Sequence, residues 1–122
     1  MKLLVFGKTG QVAREIARHC SPNVDARFLG RQDADLLLPD ICRDAVLAAN
    51  VDAVINAAAW TAVDDAESAK RAATIVNGEA PGAIARACAE KRIPFLHISS
   101  DYVFDGSGTE PFVPDHPRVP IS

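Results

Sequence analysis

The sequence has little with which to cross-link itself, grip nucleic acid or enter a membrane. It carries three cysteines in 122 residues, Cys20, Cys42 and Cys88. That odd, widely spaced set points away from a disulfide frame or a zinc site and toward a reducing cytoplasm. Lys and Arg number 13 against 16 Asp and Glu, giving a net charge of −3. No basic patch stands out, so nucleic acid is not an expected partner. The apolar run Leu3-Leu4-Val5-Phe6 is too short for a signal-peptide core. No stretch approaches the roughly 20 apolar residues of a membrane span, so no membrane association is expected. Aromatics are scarce as well, with one tryptophan and one tyrosine. What is present is an ordinary globular balance, 48% apolar and 24% charged, in a length suited to one domain.

The pattern alternates strand and helix. Lys2 to Phe6 reads as a strand buried on both faces. Val12, Ala13, Ile16, Ala17 and Cys20 recur at helical spacing, and Ser21-Pro22-Asn23 stops that helix. Ala26 to Leu29 is a second strand, closed by Gly30. The gap to Asp35 leaves no room for a crossover helix, so Asp35-Leu36-Leu37 is a loop or a stub of strand. Pro39 opens a helix to about Asn50, and Ala53 to Asn56 is another buried strand. Asp64 to Arg92 is helical in pattern, with breaks expected near Asn77-Gly78 and Pro81, and with Asn77 bridging the interruption. Phe95 to Ile98 is the last strand. The order predicts a Rossmann-type, doubly wound parallel α/β sheet over residues 1–106. Residues 107–122, with Pro111, Pro114, Pro117 and Pro120 three apart, read as a Pro-rich loop leading elsewhere.

The stretch Gly7-Lys8-Thr9-Gly10-Gln11-Val12-Ala13 joins the first strand to the first helix. Gly7 allows a tight turn, Gly10 lets backbone approach a pyrophosphate, and small Ala13 seats the helix on the sheet. Backbone N–H groups and the helix dipole then face the phosphates. A P-loop would need a glycine five residues before Gly7-Lys8, and Lys2 stands there. In NAD-specific enzymes an acidic residue near the end of the second strand binds the ribose. Here Gly30-Arg31 ends it, so Arg31 is either a partner for a 2′-phosphate or a surface charge, and Asp35 follows near the adenine. NADP(H) or NAD(H) is the expected cofactor.

Bland readings hold elsewhere. His97 reads as a packed or hydrogen-bonded histidine rather than a catalytic one. Asp64, Asp65 and Glu67 suit a helix start rather than a metal. Trp60 is either core filler or cofactor wall, and the cysteines are packing residues.

Three motifs in order resemble one family: Gly7-Lys8-Thr9-Gly10-Gln11-Val12, then Asn56-Ala57-Ala58-Ala59-Trp60-Thr61-Ala62-Val63-Asp64, then Ser99-Ser100-Asp101-Tyr102-Val103-Phe104-Asp105-Gly106. They are similar to the dTDP-4-dehydrorhamnose reductases, within the extended short-chain dehydrogenase/reductases. The resemblance implies NAD(P)H-dependent reduction of the 4-keto group of dTDP-4-dehydro-L-rhamnose in dTDP-L-rhamnose biosynthesis, hence a nucleotide-sugar substrate. It implies cofactor contacts from Gly10, Gln11 and Val12, from Asp35 and Leu36, and from Ala59, Trp60 and Thr61; Gly7, Thr9, Arg31 and Ala58 join them as candidate cofactor-site residues. Ser100 stands where the family usually has threonine, as the hydroxyl that polarises the carbonyl, with Asp101 beside the substrate. Glu15 matches a glutamate that binds magnesium between subunits in some members, with its other ligands expected beyond these residues, and a homodimer is expected.

The departures are as informative. The family's proton donor is a tyrosine with a lysine four residues later, whereas Tyr102 is followed at that spacing by Gly106. The pair is expected just past Ser122, with the substrate domain beyond it, so the 122 residues alone are expected to be inactive. Asp65 stands where lysine is common. The alternative is a non-catalytic dinucleotide-binding module, resembling the regulatory subunit of methionine adenosyltransferase.

Overall fold

The structure, a computed structural model, describes residues 1–100 and 103–121. Four parallel strands, β1 (Lys2–Phe6), β2 (Asp25–Leu29), β3 (Ala53–Asn56) and β4 (Phe95–His97), lie in the order β2-β1-β3-β4. Register runs Val5 beside Phe28, Val5 beside Ile55 and Ile55 beside Leu96. Between the strands run α1 (Gln11–His19), α2 (Pro39–Ala48) and the segmented stretch α3 (Val63–Ser68), α4 (Lys70–Thr74) and α5 (Ala80–Lys91). This is the expected doubly wound α/β sheet. Residues 35–37 form a loop, as the spacing requires.

Alternation along β1 divides the core. Leu4 and Phe6 join Val54, Cys42 and Val46 of α2, and Ala80, Ile84 and Cys88 of α5, in one buried cluster. α2 and α5 pack on each other over this face. Val5 points the other way, toward fully buried Ala13 of α1. Right-handed crossovers place the helices so, because β1 to β2 runs opposite to the later steps. On the α1 side the cover stops short of β4, where Leu96 is 57% exposed and Ile98 45%.

At the opposite end of the sheet, Lys91 of α5 donates to the carbonyls of Ala49 and Val46 at the end of α2, the second of which also accepts the Ala49 N–H. Burial pushes the Cys42 thiol up from its ordinary 9.0 to about 11, and nearby Asp35 adds to the rise. Burial raises Cys88 too, opposed by Lys91. These thiols are packing groups, as expected.

The long helix is irregular near Asn77-Gly78, as expected, and also breaks earlier, where the sequence does not suggest. α3 ends at Ser68 and the chain leaves helical geometry at Ala69 (φ −124°). From Lys70 it then winds continuously to Lys91, through a single π turn at Ile75–Glu79. There the Ala80 N–H reaches the Ile75 carbonyl, five residues back. The physical reason lies in Pro81. It has no N–H, and its ring would crowd the carbonyl four residues earlier. The wider turn relieves that crowding, and Pro81 sits harmlessly in the first turn of α5. Arg71 and Glu79 span the π turn with a 2.6 Å ion pair.

Beyond β4 the chain has little regular structure, but it is not featureless. Phe104 stacks on Phe112 at 4.7 Å, and His116 meets both rings edge-on. Asp105 accepts from the Ser107 N–H and hydroxyl, which hold its carboxyl below the ordinary range. Among the described residues, no helix is long and apolar enough to cross a membrane.

Candidate functional site

The strand order reverses between β1 and β3, and open α/β sheets bind ligands in the crevice beyond such a switch point. Three segments converge there: the glycine loop after β1, the turn after β2 and the loop after β3. Gly7 N–H donates to Leu29 O, and Ala57 N–H donates to Phe6 O, both at 2.8 Å, so the end of β1 is tied to both neighbours.

The two loop glycines are needed for different reasons. Gly7 has φ +116°, and a Cβ there would lie 3.2 Å from Ala57 C and O and 3.3 Å from Ala58 N. The protein's own backbone demands glycine. Gly10 has φ −70°, which any residue adopts. A Cβ at Gly10 would meet no protein atom within 4 Å. No side chain caps α1 at this point, and the first-turn N–H groups have no acceptor within the helix. Gly10 thus keeps a bare helix start open to an anionic group. Thr9, Gln11 and Val12 are exposed along this mouth, while Ala13 seats the helix.

After β2, Gly30 N–H donates to Asp33 Oδ2 at 2.9 Å, and Gly30 O accepts from Asp33 N and Ala34 N. Arg31 rides on this tight turn, exposed, and forms no salt bridge among the described residues. The stem of Lys8 lies against Gly30, its Cδ 3.5 Å from where a Cβ would stand. Asp35 closes its own turn by accepting Leu37 N–H at 2.9 Å, and its carbonyl takes the Cys42 thiol. Leu36 is 8% exposed and belongs to the core cluster, so its side chain faces inward and only its backbone is left for a ligand.

The loop after β3 has no ladder to hold it, and two asparagines do so instead. At its start, Ala58 N–H donates to Asn56 Oδ1 at 3.1 Å. At its end, Asn77 holds Trp60 by both backbone groups: Trp60 N–H donates to Oδ1 at 2.8 Å, and Nδ2 donates to Trp60 O at 3.1 Å. The indole N–H donates to Ala62 O, and the ring is partly buried. Ala59 and Thr61 are exposed between these anchors. Asn77 therefore does more than bridge a helix irregularity, because the π turn presents it to a loop seventeen residues earlier. Asn56 was open to recognition as a polar residue ending an apolar strand. Asn77 offered no local signal of its target.

Ser100 lies exposed beyond β4, its carbonyl accepting Val103 N–H at 3.3 Å. Asp101 falls outside the described residues, as does Tyr102. Glu15 is on the exposed side of α1, with Oε2 3.0 Å from Arg18 Nη2 and 3.3 Å from His19 Nε2. Among the described residues no group of three or more His, Cys, Asp or Glu side chains could hold a metal ion. A lone carboxylate facing two basic side chains does not by itself fit magnesium.

A parallel sheet wound on both faces, with a glycine loop at its switch point, defines a Rossmann-type domain. The whole chain, residues 1–122, matches the family described as RmlD substrate binding domain, and it belongs to that family. It is 44% identical over its full length to a dTDP-4-dehydrorhamnose reductase of Burkholderia thailandensis, covering 41% of that relative. It is 38% identical to a probable dTDP-4,6-dihydroxy-2-methyloxan-3-one 4-ketoreductase of Streptomyces antibioticus, covering 42% of it. A Bacillus anthracis dTDP-4-dehydrorhamnose reductase, solved in complex with NADP, superposes with a TM-score of 0.92 at 25% identity over 98% of this chain and 43% of its own. The chain thus spans about two fifths of the length of these relatives.

Proposed function

We propose that these residues form the dinucleotide-binding part of an NAD(P)H-dependent reductase acting on the 4-keto group of a dTDP-sugar, dTDP-4-dehydro-L-rhamnose foremost. The observation that carries this is Gly10: an open glycine at an uncapped helix start, beside the switch point of the sheet. A pyrophosphate would lie against the backbone of Gly10, Gln11 and Val12. Arg31 and Lys8 flank the place of an adenosine 2′-phosphate. Ala58 to Thr61 form the wall between there and Ser100. The likeness to the NADP-bound Bacillus anthracis enzyme supports the cofactor, and the Burkholderia thailandensis relative supports the substrate.

When bound, NAD(P)H supplies the hydride for the carbonyl carbon. The Ser100 hydroxyl would donate a hydrogen bond to the oxygen as negative charge develops there. A hydroxyl at neutral pH does not replace a general acid. No tyrosine–lysine pair four apart occurs in these residues.

The test is titration of the 122-residue chain with NADP+ and NAD+, followed by an NADPH-oxidation assay with dTDP-4-dehydro-L-rhamnose. Saturable binding without turnover is expected, with turnover restored in a longer product carrying the pair. Absence of binding would overturn the cofactor site. A longer product that binds but never turns over would favour a non-catalytic module.

A further inference from the structure

We infer that His97, acting through Asn56, is a positioning residue that sets the loop after β3 and makes its hold depend on the protonation of the imidazole. The consequence for cofactor binding rests on the dinucleotide site proposed above.

The argument is one of donors and acceptors. Asn56 ends β3 at 1% exposure, and both ends of its amide are engaged. One end faces the Ala58 N–H at 3.1 Å, and a backbone N–H can only donate, so that end is Oδ1. The other is therefore Nδ2, a donor, and it lies 3.2 Å from His97 Nδ1. Nδ1 must accept, which places the ring proton on Nε2. The neutral ring thus fixes the Asn56 amide, and the amide fixes Ala58. β3 and β4 hold the two residues side by side in register.

Protonation reverses this. An imidazolium carries N–H at both nitrogens, so Nδ1–H would face the Asn56 NH2. The pair must part, or the amide must turn over and take its oxygen from Ala58. Either change frees the Ala58 N–H, while Ala57 stays tied to Phe6 O and Asn77 keeps the end of the loop. β3 presents Asn56 to the ring, and on β4 the Phe95 ring lies 6.1 Å away. The α5 residues facing the sheet, Ala80, Ile84, Ala87 and Cys88, bring one titratable group, a thiol that burial keeps protonated. Among the described residues no carboxylate forms an ion pair with His97. The residue is exposed, so protons reach it.

Two measurements on the 122-residue chain test this. Ring-nitrogen NMR should find the Nε2–H tautomer of His97 at neutral pH, with the Ala58 amide resonance moving as the ring titrates. NADP+ affinity, measured between about pH 8 and about pH 5.5, should fall roughly threefold to tenfold more in the wild type than in His97→Asn, about the effect of one hydrogen bond. Asparagine offers a carbonyl oxygen near the place of Nδ1 but does not titrate, so the comparison cancels ionisation of the ligand's own phosphates and of the other histidines. His97→Leu should bind weakly at both ends of the range. An Nδ1–H tautomer, an Ala58 amide indifferent to the titration, or identical pH profiles for wild type and His97→Asn would overturn the inference. Loss of NADP+ binding in both proteins at every pH would instead sink the dinucleotide site, and the Ala58 amide would still judge the clamp.

Discussion

Replacing Gly7 by alanine and Gly10 by valine should separate folding from binding within one loop. At Gly7 the backbone sits at φ +116°, far from the left-handed well that non-glycine residues tolerate. Forcing a side chain there costs about 1–3 kcal/mol in strain. The new Cβ would also press on Ala57 and Ala58 backbone at 3.2–3.3 Å, atoms tied by Ala57 N–H to the end of β1. Together these suggest about 2–4 kcal/mol, or about 8–15 °C in Tm for a domain of this size. At Gly10 the same accounting gives almost nothing. The φ is ordinary, and a Cβ meets open space. Loss of a tolerable N-cap residue costs about 1 kcal/mol or less. The valine would nonetheless stand where a pyrophosphate must approach, so NADP+ affinity should fall at least about tenfold, roughly 1.4 kcal/mol. Thermal melts followed by calorimetric titration read both quantities. A Gly7→Ala protein melting with the wild type would refute the strain argument. A folded Gly10→Val protein binding NADP+ normally would refute the loop assignment.

Other outcomes follow from single contacts. Arg31→Ala should weaken NADPH by about 1–3 kcal/mol while leaving NADH unchanged, and equal losses in parallel titrations would make Arg31 a plain surface charge. Lys91→Met should lower stability by about 1–3 kcal/mol, because it strips the Lys91 donor from the Ala49 carbonyl and leaves Val46 O only its bond from Ala49 N–H, and chemical denaturation would show it. With the folded Cys42 pKa raised to about 11 from 9.0, its stabilising contribution is complete below about pH 9 and declines as pH climbs toward 11. Denaturation midpoints across that range should therefore fall less steeply in Cys42→Ala. A thiol reagent applied at neutral pH should modify Cys20 ahead of Cys42 and Cys88.

What could be read from the sequence was what is local or periodic. Lys2–Phe6 and Ala53–Asn56 announce themselves as strands because both of their faces are buried. The glycine loop was legible because its chemistry is confined to seven consecutive residues. The irregularity at Asn77-Gly78 is legible in the sequence, but Pro81 reads as a breaker that the π turn absorbs, and the break at Ala69 has no local signal. Leu36 could be assigned to the neighbourhood of the adenosine, but not its inward direction, which depends on Cys42 and Val46 across the core. The clamp of Asn77 is hidden for the same reason, because its partner Trp60 lies seventeen residues away, whereas Asn56 stands out as a polar end to an apolar strand and only its pairing with His97 is hidden.

The π turn also ties together two parts of the molecule that could otherwise drift independently. It holds one residue more than an α-helical path between the same points would need. Removing one residue from 75–79 would let the helix close normally, but everything after it would rotate by about 100° relative to everything before it. Either Asn77 would swing away from Trp60, or the face bearing Ile84 and Cys88 would swing out of the core. A lineage could not lose the extra residue without losing the loop or the packing. The irregularity behaves as a ratchet, held from one side by the site and from the other by the hydrophobic core.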